Sequence, residues 1–277
     1  MRRASALLST RCSAIQHSSS GSFPGAGGQR DVPALPPLRQ ENALNARPPS
    51  PNNLLASLSR ADFELLGPHL RDAELVHETV LARAGDSLDR VYFPHSGIIS
   101  LVLTLEGGEA IEVAMVGRDS VYGAAAALDG RIALNDAIVQ IPGTASTLDI
   151  GRLRSAAADS ASLSAALIRH AEFVFVQAQQ SAACNATHTL EARLARWLLR
   201  ARDLSGGDTL LLTQEFLGQM LGVQRTSLSL VANTLQTAGL IRYRRGRIEI
   251  TNLEGLMESS CQCYKAVRTQ YDRLLAE

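Results

Sequence analysis

Short runs in which apolar and polar residues alternate follow one another from about residue 75 to residue 150. Residues 98–105 and 109–116 alternate in this way on either side of Gly107-Gly108, a pattern typical of a β-hairpin. Further short apolar runs occupy residues 75–81, 91–93, 136–141 and 146–150. Six or more strands at this spacing predict a jelly roll or a related barrel. Before them, residues 53–70 predict a pair of short helices.

A long helical segment follows, because residues 160–203 contain neither proline nor glycine. We expect the helix to bend or restart near residues 185–187, and a new apolar stripe begins at Leu190. Alternating steps of four and three predict a seam that packs against a second, identical helix. The positions on this seam are Leu163, Leu167, His170, Val174, Gln177 and Ser181. His170 is either a buried core histidine or a ligand, and the first is the simpler interpretation.

Residues 213–239 have the spacing of a DNA-binding helix-turn-helix. Gly222 would lie in the tight turn, where it supplies a positive φ, and Gly218 four places earlier lets the two helices approach. The remaining core positions are apolar, as the motif requires: Leu217, Leu221, Val223, Leu228 and Val231. The second helix is expected from about residue 224 to residue 236, ending at Gly239.

The N-terminal residues of the second helix in this motif meet base edges in the major groove. Here they are Gln224, Arg225, Thr226, Ser227 and, one turn on, Ser229. Arg225 can bind guanine through two hydrogen bonds. Residues 241–243 and 248–250 then predict a two-stranded wing with candidate phosphate contacts at Arg242, Arg244, Arg245 and Arg247. An ordinary helical hairpin followed by a solvated charged turn is the alternative interpretation.

The first 51 residues predict a disordered tail, since they hold seven of the ten prolines and show no helical or strand period. Residues 1–30 lack acids and are rich in Arg and Ser, which is typical of a transit peptide. A dispensable extension or a misplaced start codon is the simpler alternative. Charge also varies: residues 51–187 carry nine arginines against sixteen acids, and residues 188–277 carry twelve basic residues against nine acids. An acidic middle and a basic end favour two domains with different partners.

The chain of 277 residues is 45% apolar, which suffices for a sizeable core. No apolar run approaches the ~18 residues that a membrane span needs, so we expect a soluble, cytoplasmic protein with no membrane partner. The cysteines are Cys12, Cys184, Cys261 and Cys263. We expect free thiols in a reducing compartment. Cys261 and Cys263 are too close in sequence for a disulfide and look too isolated for a metal site, so no metal is predicted.

The order of barrel, long helix, helix-turn-helix and wing resembles the Crp/Fnr family of bacterial transcription regulators over residues 53–275. Residues 193–199 look like the helix that opens the family's DNA-binding domain. Barrel turns of the family match Gly85-Asp86, Tyr92-Phe93, Gly97, Gly117-Arg118-Asp119 and Gly123.

The resemblance implies an α+β chain with a disordered tail (residues 1–51), a β jelly-roll sensor barrel (52–158), a dimerisation helix (159–186) and a winged helix-turn-helix (187–277). Its implied partners are double-stranded DNA and a second copy of the chain, with RNA polymerase as a further candidate. The operator it implies is palindromic.

The sequence departs from the family where a cyclic nucleotide would bind. Members that bind one carry a Gly-Glu-Leu-Ala-like cassette, but residues 123–128 read GAAAAL and lack the glutamate. The phosphate-binding arginine would fall near residues 134–136, which hold no base, and Arg131 is out of register. Without these charge-assisted bonds we expect weak or no cyclic nucleotide binding, and the cofactor, if any, is unidentified. Cys12 alone cannot supply an iron–sulfur site, while His77 and His95 leave haem open.

The recognition helix also differs from that of the cyclic AMP receptor protein, because Thr226 replaces a glutamate and Leu230 an arginine, so a different operator is expected. Two other functions stay open at this point. The chain could bind DNA constitutively with a barrel that binds no effector. It could instead be a cupin-like metalloenzyme, which needs clustered histidines, whereas those of the barrel are scattered at His69, His77 and His95.

Overall fold

The computed structural model of the protein describes residues 50–130 and 132–276. The predicted tail therefore lies almost wholly outside the described residues, as do Cys12 and Arg131. The described chain opens with two short helices, α1 (Asn53–Ser57) and α2 (Arg60–Leu66). Asn52 caps α1 by accepting the Leu55 N–H, and its amide donates to two barrel carbonyls, those of Pro94 and Ser120. This buried side chain ties the first helix to the barrel.

Within residues 71–149, apart from the undescribed residue 131, seven antiparallel strands form the β-rich domain. They are β1 (Arg71–Leu75), β2 (Val80–Ala82), β3 (Arg90–Pro94), β4 (Ile98–Thr104), β5 (Ala110–Val116), β6 (Asp136–Ile141) and β7 (Gly143–Asp149). One sheet has the order β1-β7-β3 and the other β2-β6-β4-β5. Alternate side chains of these strands face inward, so that Val91, Phe93 and Leu148 are buried in one cluster and Ile99 and Val139 in another.

Two boundaries differ from those that the sequence predicts. Residues 75–81 do not form one strand, because Glu78 adopts a positive φ of 63° and turns the chain. β1 therefore pairs with β7, whereas β2 pairs with β6 in the other sheet. The last barrel strand ends one residue early, since Asp149 caps a separate helix, α3 (Ile150–Asp159). The alternation of apolar and polar residues predicts neither the change of sheet between β1 and β2 nor the short helix α3.

The long helix α4 (Ala161–Thr187) ends before His188, and Thr189 caps the next helix, α5 (Leu190–Ser205). The predicted dimer seam is wrong for most of its members, because they face this chain's own core. Leu163 and Leu167 are 0% and 2% exposed, His170, Gln177 and Ser181 are also buried, and half-buried Val174 packs on the barrel core. The spacing of four and three between these residues therefore reflects the packing of α4 against its own chain. The side of α4 next to this buried stripe exposes Ile168 and Phe175, and Phe175 also borders the cavity between the barrel and α4.

The C-terminal domain contains β8 (Thr209–Leu211), α6 (Gln214–Leu221), α7 (Arg225–Thr237), β9 (Ile241–Arg244), β10 (Arg247–Ile250), α8 (Leu253–Ser259) and α9 (Cys263–Ala276). Its small sheet has the order β8-β10-β9. The predicted order of β-rich domain, long helix and helix-turn-helix is confirmed. Among the helices within residues 50–130 and 132–276, none combines the length and apolarity needed to cross a bilayer.

Candidate nucleic-acid interface

Two glycines, Gly218 within α6 and Gly222 at its C-cap, favour the close crossing of α6 and α7. Gly222 caps α6 with φ 63° and ψ 42°, a left-handed conformation that side chains disfavour. A Cβ on Gly218 would lie 3.0 Å from the carbonyl oxygen of Val223, closer than about nine in ten real Cβ contacts. A side chain at Gly218 would therefore push the two helices slightly apart, and one at Gly222 would strain the turn.

The apolar positions of the motif lie where its spacing puts them. Leu217, Leu221 and Leu228 are fully buried, and Val223 and Val231 are half-buried against the same cluster. Because this cluster also contains side chains of α5, the orientation of the second helix is set by the packing of the whole domain.

The N-terminal end of α7 is open to solvent. Gln224, Arg225, Thr226 and Ser227 are all exposed, so they can reach base edges without rearrangement of the core. Ser229 differs from the prediction, because it is half-buried and its hydroxyl lies 2.7 Å from Gln214 Oε1 and 2.9 Å from the Arg225 carbonyl. That hydroxyl joins α7 to α6 and is less available to DNA.

The wing follows α7 and is joined to the C-terminal end of that helix, where the Tyr243 N–H donates to Gln236 Oε1 at 2.8 Å. Arg244 and Arg247 pair across a two-residue turn in which Arg245 and Gly246 both have positive φ, 40° and 77°. Such a turn twists with its strands and keeps the hairpin tight. Arg244, Arg245 and Arg247 are exposed. Arg242 is already paired, since its Nη1 lies 3.1 Å from Glu249 Oε2 in the neighbouring strand.

Buried polar contacts join the DNA-binding domain to the barrel. Arg200 of α5 forms an ion pair of 2.6 Å with Asp119, and the Trp197 Nε1–H donates to Glu112 Oε1 at 2.7 Å. Ser100 donates to the other oxygen of Glu112. Burial raises the pKa of Glu112 to about 7, because its effect on the pKa is larger than the lowering effect of these two hydrogen bonds. Sequence reasoning missed this network, because the alternation of residues 109–116 puts Glu112 on the polar side of its strand, the side that α5 covers in the structure.

A cavity of about 370 Å³ lies between the barrel and α4. Most of its wall is aliphatic, with Leu101, Val113 and Leu134 among the lining residues, and it includes the alanines at 124–126. Among the described residues that line it, none carries a formal charge at neutral pH. Its His170 is neutral there, because burial lowers the pKa of the imidazole to about 4, and the imidazole accepts the Val121 N–H. The structure does not group His77 with His95, which bond separately to Gln140 O and Ser146 Oγ.

The view that Cys261 and Cys263 are isolated is wrong. The structure brings them together with Cys184 and His188, and the four possible ligand atoms all lie within 4.8 Å of one another. Cys184 and His188 are four residues apart, so they lie on one face at the end of α4. This spacing, together with the Cys-x-Cys pair, was the signal available in the sequence.

Comparison with known proteins agrees with this architecture. Residues 74–160 match the cyclic nucleotide-binding domain, and residues 192–259 match the Crp-like helix-turn-helix domain. A comparison with curated protein sequences finds no significant match.

Several solved structures share the fold. FixK2 from Bradyrhizobium japonicum is 17% identical, with a TM-score of 0.60 over 69% of this chain and 98% of that one. The regulator TTHA1359 from Thermus thermophilus is 23% identical, with a TM-score of 0.56 over 69% and 98%. The c-di-GMP responsive regulator CLP from Xanthomonas campestris is 16% identical, with a TM-score of 0.56 over 69% and 99%. At these identities the similarity shows the fold alone.

The two matched domains follow one another in the order of the structure, with the long helix α4 between them, and the second contains an exposed helix end and an arginine-rich wing. The chain belongs to the Crp/Fnr family of DNA-binding transcription regulators, which are not enzymes.

Proposed function

We propose that the protein acts as a homodimer that binds a palindromic site in double-stranded DNA through α7, and that no cyclic nucleotide controls it. The exposed N-terminal end of α7, residues 224–227, carries the proposal. Two such ends related by a two-fold axis would read half-sites about one helical turn apart. Because bacterial DNA lies in the cytoplasm, the proposal also locates the protein there.

Arg225 is the residue that we assign to base recognition. Its side chain is exposed at the first turn of α7, and a bidentate contact with guanine contributes about 1–3 kcal/mol of discrimination. Arg244, Arg245 and Arg247 would bind phosphates, a role that adds affinity without sequence preference. Arg242 would contribute less, since Glu249 already neutralises it.

The test is a binding titration of the full chain on DNA fragments from its own upstream region, with no ligand added. The Arg225→Ala variant should lose about 5- to 150-fold in preference for the specific site over scrambled DNA. Arg60→Ala is the matched control, because Arg60 is an exposed arginine that pairs with Glu64 on α2, in the sensor domain. Equal losses in both variants, or no specific complex with any genomic fragment, would overturn the assignment.

The dimer contact is assigned to the exposed face of α4. Ile168, Phe175 and Ala182 are spaced by seven residues on this face, and the first two are 49% and 63% exposed. Burying a large apolar side chain of this kind contributes about 1.5–3 kcal/mol, which favours a helix-to-helix contact with a second copy.

Sedimentation of the full chain tests this contact. Phe175→Glu should shift the protein from dimer to monomer, whereas Leu65→Glu, a change of the same kind at an exposed residue of α2, should leave the dimer intact. A wild-type protein that sediments as a monomer at every concentration would contradict the homodimer, and a dimeric Phe175→Glu would contradict this face.

The aliphatic cavity supports the exclusion of cyclic nucleotides. A phosphate placed there would lose water without gaining a cation among the described lining residues, which is costly for an anion. Cyclic AMP and cyclic GMP should therefore leave the melting temperature unchanged, while a known cyclic-AMP-binding regulator shifts in the same assay. A shift that grows with nucleotide concentration would refute the exclusion.

A further inference from the structure

Three cysteines and a histidine meet where the long helix ends and the DNA-binding domain begins. Cys184 and His188 belong to the last turn of α4 and its cap. Cys261 lies in the turn between α8 and α9, and Cys263 is the first residue of α9. The set is therefore contributed by two segments that are about 75 residues apart in sequence.

The distances suit one tetrahedral ion. Zinc bonds of about 2.3 Å to sulfur and about 2.0 Å to nitrogen place neighbouring ligand atoms roughly 3.4–3.8 Å apart. Here Cys184 Sγ lies 3.5 Å from Cys261 Sγ, and Cys263 Sγ lies 3.5 Å from His188 Nδ1. All four atoms fall within 4.8 Å of one another, so only small side-chain movements separate the cluster from full coordination.

The surroundings suit a bound ion as well. The three thiols are buried together, which keeps bulk water from the site. Gln180 Nε2 lies 3.0 Å from Cys263 Sγ, where its N–H can donate to the sulfur and hold the ligand in place. The N-terminal end of α9 adds a favourable dipole for a thiolate at Cys263.

The local charge is complementary too. Three thiolates, a neutral imidazole and Zn²⁺ would carry a net charge of −1. Arg196 acts electrostatically on Cys184, and Arg193 interacts with Cys184 and Cys261. Arg193 is 9% exposed, and the Nε–H groups of both arginines are buried without an acceptor among the described residues. An anionic metal centre would give these cations a counter-charge.

We propose that Cys184, His188, Cys261 and Cys263 form a structural zinc site. The ion would fasten the end of α4 to the turn that precedes α9, and so would hold the DNA-binding domain at a defined position on the long helix. The proposal rests on the geometry of these four residues and stands or falls independently of the DNA-binding assignments above.

Metal analysis of the purified full chain is the first test, and it needs no variant. About one zinc per protomer is expected. Replacing zinc with Co²⁺ should produce the visible bands of a tetrahedral thiolate site. The proposal is overturned if the protein holds no metal and takes up neither ion after reduction. Iron with acid-labile sulfide, or a Cys184–Cys261 disulfide found by mass spectrometry under reducing preparation, would also overturn it.

Matched variants then locate the ion. Cys263→Ser and His188→Ala should each lower zinc affinity by more than about 100-fold, and Gln180→Leu by about 10- to 100-fold, in competition with a chromophoric chelator. His69→Ala and His95→Ala serve as controls, because both are described histidines that lie outside the cluster. Chelation should lower the melting temperature of the wild type and leave that of Cys263→Ser unchanged. If the controls lose zinc as the ligand variants do, the ion is bound elsewhere.

Discussion

Replacing Glu112 by glutamine should remove a pH dependence from the stability of the contact between barrel and DNA-binding domain. Glu112 is 8% exposed, and its carboxyl accepts hydrogen bonds from Trp197 and Ser100. Burial raises its pKa from an ordinary 4.5 to about 7. The folded protein therefore keeps this proton up to about pH 7, whereas the unfolded chain releases it above pH 4.5.

The size of the effect follows from the two pKa values. Each pH unit between them corresponds to about 1.4 kcal/mol, so the Glu112 contribution to the free energy of unfolding falls by about 3 kcal/mol from pH 4.5 to pH 7. It is fully present below pH 4.5 and is lost as the pH rises through 7. The amide of Glu112→Gln can keep both contacts, because its oxygen accepts from Trp197 and its NH₂ donates to Ser100.

Urea unfolding at intervals from pH 4 to pH 8 measures the difference. The protein has a single tryptophan, and because Trp197 is buried against Glu112, its fluorescence reports on this contact. The variant should gain up to about 3 kcal/mol over the wild type at pH 8 and almost nothing at pH 4. Glu64→Gln, at an exposed position of α2, should show no such trend. A difference between Glu112→Gln and wild type that does not change with pH would refute the reasoning.

Three further outcomes are expected. His170→Gln should remove a pH dependence of stability that has the opposite sign. Burial lowers the pKa of His170 from 6.5 to about 4, so the His170 contribution to the free energy of unfolding is present above pH 6.5 and declines by about 3 kcal/mol towards pH 4. If the variant loses as much stability in acid as the wild type in the same urea assay, this prediction is wrong. Gly222→Ala should cost about 1–2 kcal/mol of stability because of its positive φ of 63°, and an unchanged melting temperature would show that the turn relaxes. Arg247→Ala should weaken binding to all DNA sequences and reduce the slope of log affinity against log salt concentration by about 1. Arg242→Ala should have a smaller effect, because Arg242 is already paired with Glu249 in the wing. Equal effects of the two variants in salt titrations would show that this pairing does not matter for DNA binding.

The helix-turn-helix was predictable because its requirements are local. A positive φ at one residue, a small residue four places earlier and apolar positions at fixed steps are all properties of neighbouring residues in the chain. Gly222, Gly218 and Leu228 meet them in the sequence and occupy those places in the structure. Ser229 shows the limit of such reasoning, since its commitment to Gln214 depends on how α6 crosses α7.

The face of α4 that a partner would use was not predictable in the same way. Apolar residues at steps of four and three show that one stripe of a helix is buried. The pattern does not show whether that stripe packs against the same chain or against a second copy. Leu163 and Leu167 pack on this chain's own core, and the exposed apolar residues on the adjacent side, Ile168 and Phe175, do not stand out in a helix that is apolar throughout. The choice between the two faces depends on where the barrel lies.

By itself the sequence determined the class of protein, the order of its domains and the position of the helix-turn-helix, because hydrophobic period, glycine conformation and motif spacing act over a few residues. Only the tertiary structure decided which groups from distant segments meet. Glu112 reaches Trp197 across 85 residues, and Cys184 reaches Cys261 across 77. These contacts form because packing brings together helices and strands whose separation in sequence carries no information about their separation in space.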